Sequence, residues 1–218
     1  TCTCHAYDLS SDHVVFFKDS WHINLANIIP EGKVYAKLNS KQVPYVLTCL
    51  TTYNVPCWPK QEPQTFKYSQ YPWAYQAGLQ IMPHIHHVLV LDIARKPLTT
   101  FSCSKELAQA IHDALLAHQG AYIDCKILHQ DVSPGNIIIH NGWGHLIDWD
   151  MVKLVEQQSS CHITHTACSI FFCVHILMGF GQGTWQFMSV NLIKNHSANH
   201  TFQDDLESSF WVLLWTAL

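Results

Sequence analysis

The pattern of apolar and polar residues along the chain predicts short strands and two longer helices. Residues 12–18 and Val88–Leu91 are rich in β-branched and aromatic side chains, which is typical of strands. Residues 105–118 repeat apolar side chains at helical spacing, with Ser104 placed to cap the start and Gly120 to end the helix. The clearest single element of the sequence is therefore a helix over 105–118.

The remaining segments give weaker signals. They predict a helix within 21–38, a strand over 43–50, an irregular proline-rich insert over 53–75, two strands over 137–139 and 145–147, and a final helix from Asp204 with an apolar stripe of Leu206, Phe210, Leu213 and Leu214. The dipeptide Asn141-Gly142 predicts a hairpin turn between the two short strands.

Composition narrows the classes of protein that need considering. Of the 218 residues, 48% are hydrophobic, which excludes a disordered chain, and the net charge of −4 offers no basic surface for nucleic acid or an anionic membrane. The longest uncharged apolar stretch, Ala167–Phe180, has 14 residues and is too short to span a bilayer. The nine cysteines follow no repeating frame, so we expect a reducing, intracellular compartment.

Candidate chemistry is concentrated between residues 129 and 148. Asn136 lies five positions after Asp131, and Asp148 lies twelve after Asn136, beyond the predicted hairpin. The hairpin returns the chain, so we expect the three polar side chains to meet at one of its ends. Asn136 and Asp148 offer the oxygen ligands that Mg²⁺ prefers, and Asp131 remains to orient or deprotonate a hydroxyl group. Each residue alone could equally cap a turn or end a strand, and only the joint spacing favours phosphoryl transfer.

This segment is similar to the catalytic loop and the metal-binding motif of protein kinases. Further blocks resemble the fungal-type protein kinase family; in chain order they are FFKDSWH, KELAQAIHDALLAH, ILHQDVSPGNIII, LIDWD, GTWQFMS and DDLESSFWVLLW. The resemblance implies an α+β, two-lobed kinase-like fold, truncated at both ends. Its partial N-lobe would span 1–91 with the insert 53–75, and its truncated C-lobe 92–218.

The resemblance also implies roles for individual residues. His129 and Asp131 would belong to the catalytic loop, with Asp131 as the base, and Asn136 and Asp148 would hold Mg²⁺. Lys18 would contact the α- and β-phosphates of ATP, and Glu31 would pair with Lys18. The backbone of Val90–Ala94, including Asp92, would contact adenine. Asp205, or its neighbour Asp204, would form a hydrogen bond with the catalytic-loop backbone.

The sequence departs from the kinase pattern at several points. Residues 1–17 contain no glycine, so no glycine-rich phosphate loop precedes Lys18. Gln130 stands where kinases usually have Arg, and Trp149-Asp150 stands in place of Phe-Gly. The segment 154–182 is too apolar for an activation loop, and we interpret it as a translated intron or another annotation error.

Three functions therefore stay open. The first is ATP-dependent transfer to Ser or Thr hydroxyls of a protein substrate, with ATP and Mg²⁺ as the implied ligands. The second is a small-molecule kinase of the aminoglycoside or choline type, whose catalytic pattern is almost the same. The third is a catalytically dead pseudokinase or gene fragment. The histidines at 84, 86 and 87 are interpreted as a polar strand edge, and Cys161, His162, His165 and Cys168 as chance composition, rather than as metal sites.

Overall fold

The computed structural model of the chain describes residues 2–25, 28–56, 63–68, 71, 73, 83–93, 96–155, 184–195 and 198–218. The chain divides into two compact units, one of residues 1–36 and 47–94 and one of residues 37–46 and 95–218. None of the helices in the described ranges combines the length and apolar character that crossing a bilayer requires. Most of the atypical segment 154–182, with its cysteines and histidines, lies outside the described residues.

The first unit is built on a four-stranded antiparallel sheet. Its elements are β1 (Cys2–Asp8), β2 (His13–Ile23), the start of α1 (Glu31–Ser40), β3 (Cys49–Asn54), α2 (Gln64–Lys67) and β4 (His84–Leu91), with strand order β1-β2-β4-β3. Val34 and Tyr35 of α1 are buried, as are Phe16, Leu89 and Leu91 of the central strands. The apolar face of α1 and one face of the sheet therefore supply this unit's core.

The second unit packs a long helix against short β-ladders. Its elements are β5 (Lys96–Pro97), α3 (Ser104–Cys125), β6 (Ile127–Leu128), β7 (Ile137–His140), β8 (Trp143–Leu146), β9 (Lys153–Leu154), α4 (Val190–Lys194) and α5 (Phe202–Ala217), with short 3₁₀ turns at Leu98–Thr100, Pro134–Asn136 and Thr184–Phe187. Strands β5, β7 and β8 form one antiparallel sheet, and β6 pairs with β9. The mixed helices and antiparallel sheets agree with the expected α+β class.

The hairpin turn forms at the predicted dipeptide. Asn141 and Gly142 both adopt positive φ angles, 50° and 81°, and β7 and β8 pair directly on either side of them. Two central residues in this conformation match the right-handed twist of the flanking strands. The local sequence was sufficient here because the turn depends on backbone preference alone.

Several predicted boundaries are wrong. Helix α3 continues through Gly120 to Cys125 and ends where Lys126 adopts φ 56°. Gly120 is needed for a close contact instead, because an added Cβ would lie 2.9 Å from Val43 Cγ1. Ser104 is the first helical residue, and Cys103 occupies the N-cap position without a side-chain hydrogen bond.

The strand assignments near the N-terminus also shift. Residues 21–23, predicted as helix, extend β2, and the strand expected over 43–50 begins only at Cys49. Lys96-Pro97, outside every predicted strand, forms β5 by pairing with β7. Leu154, which the sequence pattern placed in the atypical segment, lies in β9 and pairs with Ile127 of β6. Each of these differences comes from pairing with a segment distant in the sequence.

The final helix buries a different face from the one predicted. Its predicted apolar stripe is exposed: Leu206 (40%), Phe210 (56%), Leu213 (38%) and Leu214 (43%). The face that α5 buries carries mostly polar residues, namely Asp204, Asp205, Ser208, Ser209 and Val212. Hydrogen bonds to the rest of the second unit, described below, outweigh the periodicity of the apolar side chains in orienting this helix.

Candidate active site

Asp131 and Asn136, the residues predicted to form a catalytic loop, are in direct contact. Asn136 Nδ2 donates to the Asp131 backbone oxygen and to Asp131 Oδ2, both at 2.8 Å. The 3₁₀ turn Pro134–Asn136 brings the two residues together, because it folds the five-residue spacing back on itself. Since both amide hydrogens are used at Asp131, the Asn136 atom that can reach a cation is Oδ1.

His129 supports this loop and is a fully buried, neutral imidazole. Its Nδ1 accepts from the Asp131 backbone N–H at 3.2 Å, and its Nε2 donates to the Ile147 carbonyl at 3.0 Å. Burial lowers the pKa of His129 to about 4, so the ring carries no charge near neutral pH. His129 therefore ties the Asp131 backbone to the strand that leads to Asp148.

The β7–β8 hairpin brings the backbone just before Asp148 into contact with the backbone of Asn136. Ile147 N donates to the Asn136 backbone oxygen at 2.9 Å, one residue before Asp148. Asp148 adopts φ 66°, a left-handed conformation unusual for a residue other than glycine. The next residue, Trp149, is completely buried, packs edge-to-face on His129 at 4.6 Å and donates to the Leu146 carbonyl at 3.1 Å.

A buried carboxylate on α5 also supports this loop. Asp205 Oδ2 accepts from the Gln130 backbone N–H at 3.3 Å and from His118 Nε2 at 2.7 Å, and its Oδ1 contacts His200 Nε2 at 2.6 Å. Burial alone would raise the pKa of Asp205, but the hydrogen bonds from the two histidines outweigh burial and lower it. Of the two candidate aspartates, Asp205 is the one that contacts the catalytic-loop backbone.

Asp204 has a different role in the same helix. It forms a capping box with Thr201 and accepts a short hydrogen bond from Ser189 Oγ. It therefore fastens the start of α5 to the start of α4.

Lys18 and Glu31 form a buried ion pair in the first unit. Lys18 Nζ lies 2.7 Å from Glu31 Oε2, and each side chain is only 4% exposed. Lys18 points to the same side of β2 as Phe16 and Ser20, and Glu31 is the first residue of α1. The Pro-Glu-Gly context, unfavourable inside a helix, suits the helix start at which Glu31 lies.

The predicted adenine-binding residues occupy the end of β4. Val90 pairs with Phe17 on β2 and with Thr51 on β3. Asp92 N donates to the Thr48 carbonyl at 3.1 Å, and Asp92 Oδ1 accepts from Thr48 N at 3.0 Å. Ala94, the last residue of the predicted hinge, lies outside the described residues.

Sequence reasoning missed three histidines that support these groups. The sequence indicated no role for His118 or His200, although both contact Asp205. His87 was interpreted as part of a polar strand edge, but β4 is a central strand and His87 is buried within it. The contacts of His118 and His87 span 87 and 33 to 35 residues, which no local spacing reveals. His200 lies only five residues before Asp205, but it belongs to none of the motifs that the sequence offered.

The oxygen donors of the second unit fit a hard divalent cation. Asn136 Oδ1 and the Asp148 carboxylate are the two groups that the spacing predicted as ligands, and they belong to residues that the hairpin brings together. An amide oxygen and a carboxylate match the preference of Mg²⁺ for oxygen.

The comparison with protein families agrees with the resemblance found in the sequence. The family model of the fungal protein kinases matches residues 59–217, well over half of the chain. That range includes His129, Asp131, Asn136 and Asp148, whereas Lys18 and Glu31 precede it. A comparison with curated proteins finds no match. The chain therefore belongs to the fungal protein kinase family.

Proposed function

We propose that this chain transfers the γ-phosphoryl group of ATP to a Ser or Thr hydroxyl of a protein, with Mg²⁺ as cofactor. The observation that carries the proposal is the catalytic loop itself: Asp131 contacts Asn136 directly, and buried His129 and Asp205 hold the loop backbone. In this role the Asp131 carboxylate orients the hydroxyl and takes up its proton. The hydroxyl oxygen bonds to the γ-phosphorus, and ADP leaves.

Each unit carries residues with a proposed role in binding ATP. In the first unit, the resemblance to two-lobed kinases assigns the Lys18 ammonium to the α- and β-phosphates, with Glu31 fixing its direction. It also assigns the backbone near Asp92 to adenine. In the second, Asn136 and Asp148 would hold Mg²⁺, which neutralises phosphate charge when bound. The oxygen-only donor set supports this assignment.

The Asp131→Asn variant tests the proposed base. We expect transfer to a protein substrate to fall by about 10²- to 10⁴-fold, the contribution of a positioned acid–base group, while MgATP affinity changes little. Asp124→Asn makes the same chemical change at an exposed site at the end of α3 and should leave turnover intact. Unchanged turnover in Asp131→Asn would refute the role, and transfer to amino alcohols instead of protein would favour the small-molecule class.

The Asp148→Ala variant tests the proposed cation ligand separately. We expect it to weaken MgATP binding in calorimetric titration, because one of two proposed protein oxygens is lost. Nucleotide binding in the absence of Mg²⁺ should be affected far less. Equal losses with and without Mg²⁺ would argue against metal ligation by this residue.

A further inference from the structure

The start of α1 is in very close contact with strand β3. A Cβ atom added to Gly32 would lie 2.2 Å from Thr52 Oγ1 and 2.5 Å from Thr52 Cγ2, far below any normal contact distance. Only glycine fits this position, and its Cα therefore lies against the Thr52 side chain. Glu31 immediately precedes Gly32, so the position of the Thr52 side chain constrains the backbone from which the Glu31 carboxylate extends.

The strand register places Thr52 in line with Lys18. Leu89 of β4 pairs with Lys18 on one side and with Thr52 on the other, and directly paired residues point to the same face of a sheet. Lys18, Leu89 and Thr52 thus form one cross-strand row. Adjacent residues of α1 contact its two ends: Glu31 pairs with Lys18, and Gly32 rests on Thr52.

Buried His87 holds the Thr52 hydroxyl in place. His87 Nε2 lies 2.9 Å from Thr52 Oγ1, and His87 Nδ1 lies 2.9 Å from Asn54 Oδ1. Because the amide oxygen can only accept, Nδ1 donates to Asn54 and Nε2 accepts from Thr52. Burial, helped by electrostatic interaction with His22 and Lys18, lowers the pKa of His87 to about 4, so the neutral ring that this arrangement needs is present.

We propose that Thr52, oriented by His87, is a positioning residue that fixes Glu31 on Lys18 and so tunes the grip on the ATP phosphates. The proposal rests on the proposed function for its link to ATP, but its structural part concerns only the Lys18–Glu31 pair. Thr52 acts through the first turn of α1 and contacts no reacting atom.

The Thr52→Val variant removes the hydroxyl while keeping the branched shape. We expect KM for MgATP to rise about fivefold, the equivalent of one neutral hydrogen bond, with kcat nearly unchanged. Thr52→Ser, which retains the hydroxyl, should restore the original KM. Thr51→Val is the matched control, since Thr51 points to the opposite face of the same strand. An effect of Thr52→Val no larger than that of Thr51→Val would overturn the proposal.

A double-mutant cycle separates positioning from general loss of stability. If Thr52 acts through Glu31, Thr52→Val should have no further effect on KM in a Glu31→Gln background. A full additional fivefold increase in that background would contradict the proposal. Asn54→Ala, at an exposed position, provides a second variant that weakens the same chain of hydrogen bonds and should raise KM in the same direction.

Acetylation of Lys18 gives a readout that needs no activity. In a brief pulse of acetic anhydride, Lys33, an exposed residue of α1, serves as the internal reference for peptide mass spectrometry. We expect Thr52→Val to raise the Lys18-to-Lys33 labelling ratio about fivefold, because an amine released from the Glu31 carboxylate is more accessible to the reagent. An unchanged ratio would overturn the proposal, whereas a raised ratio in a protein that binds no MgATP would uphold the contact and refute the proposed function.

Discussion

His129 and His87 show how a buried imidazole can organise backbone and side chains at once. Each ring donates from one nitrogen and accepts at the other: His129 joins Asp131 to Ile147, and His87 joins Thr52 to Asn54. Only the neutral ring can donate to one partner and accept from the other. Burial lowers the pKa of both residues to about 4, which keeps them neutral at physiological pH.

This pair of histidines predicts that acid destabilises the protein. Their folded pKa values of about 4 lie below the usual value of 6.5, so the unfolded chain binds more protons between these limits. The free energy of unfolding should therefore fall as pH decreases from 6.5 towards 4, by up to about 1.4 kcal/mol per pH unit for each ring. Urea titrations at pH 7, 6 and 5 measure this slope.

A variant assigns the pH dependence to one ring. His87→Gln should remove about half of the slope, whereas His5→Gln, at an exposed position of β1, should leave it as it is. An unchanged slope in His87→Gln would show that other groups cause the acid sensitivity.

At the scale of elements, helix α3 and strand β8 meet backbone to backbone. A Cβ atom added to Gly144 would lie 2.1 Å from the Ala110 carbonyl oxygen, which leaves room for no side chain. Asp113, completely buried on α3, accepts from Gly144 N at 3.0 Å and from Gln109 Nε2 at 2.7 Å. Helix α3 thereby fixes the hairpin whose ends carry Asn136 and Asp148.

The Gly144→Ala variant should therefore be strongly destabilising. We expect a loss of about 2–3 kcal/mol in the free energy of unfolding, since helix and hairpin must separate to admit a methyl group. Gly135→Ala is the control, because the nearest atom to its added Cβ is Ser133 Oγ at an ordinary 3.8 Å. Equal unfolding midpoints for the two variants in urea would contradict the contact described here.

At the scale of the whole molecule, low charge coincides with exposed apolar surface. Only 13% of the residues are charged, and the final helix exposes Phe210, Leu214 and Trp215, with exposed fractions of 56%, 43% and 54%. The described residues also expose half of the Trp185 side chain near the same helix. Apolar patches of this kind promote association when electrostatic repulsion is weak.

We accordingly expect solubility to pass through a minimum near the isoelectric point of about 6.4 and to improve with Phe210→Glu. Gln203→Glu adds the same charge to an exposed position of the same helix without removing apolar surface, and should help less. Light scattering across pH 5.5 to 8 measures both effects. Equal improvement by the two variants would assign the benefit to charge alone.

The sequence predicted the features that depend on local geometry. The Asn141-Gly142 turn, the helical repeat of α3 and the spacing of Asp131 and Asn136 each involve residues close along the chain, so backbone preference and side-chain reach decide them. The family resemblance is also a property of the sequence, and it is confirmed over 59–217. The predicted end of α3 was wrong because Gly120 lies in close contact with Val43, and no local pattern reveals this contact.

What the sequence determined by itself was the order of chemical groups along the chain and the short elements that present them. The tertiary structure alone decided which groups are in contact: Asp205 with His118, and Thr52 with His87 and the start of α1. It also turned the apolar stripe of the final helix outwards, because the hydrogen bonds of Asp204 and Asp205 orient that helix. Such pairings depend on contacts between distant segments, whose free energies are settled only when the chain has folded.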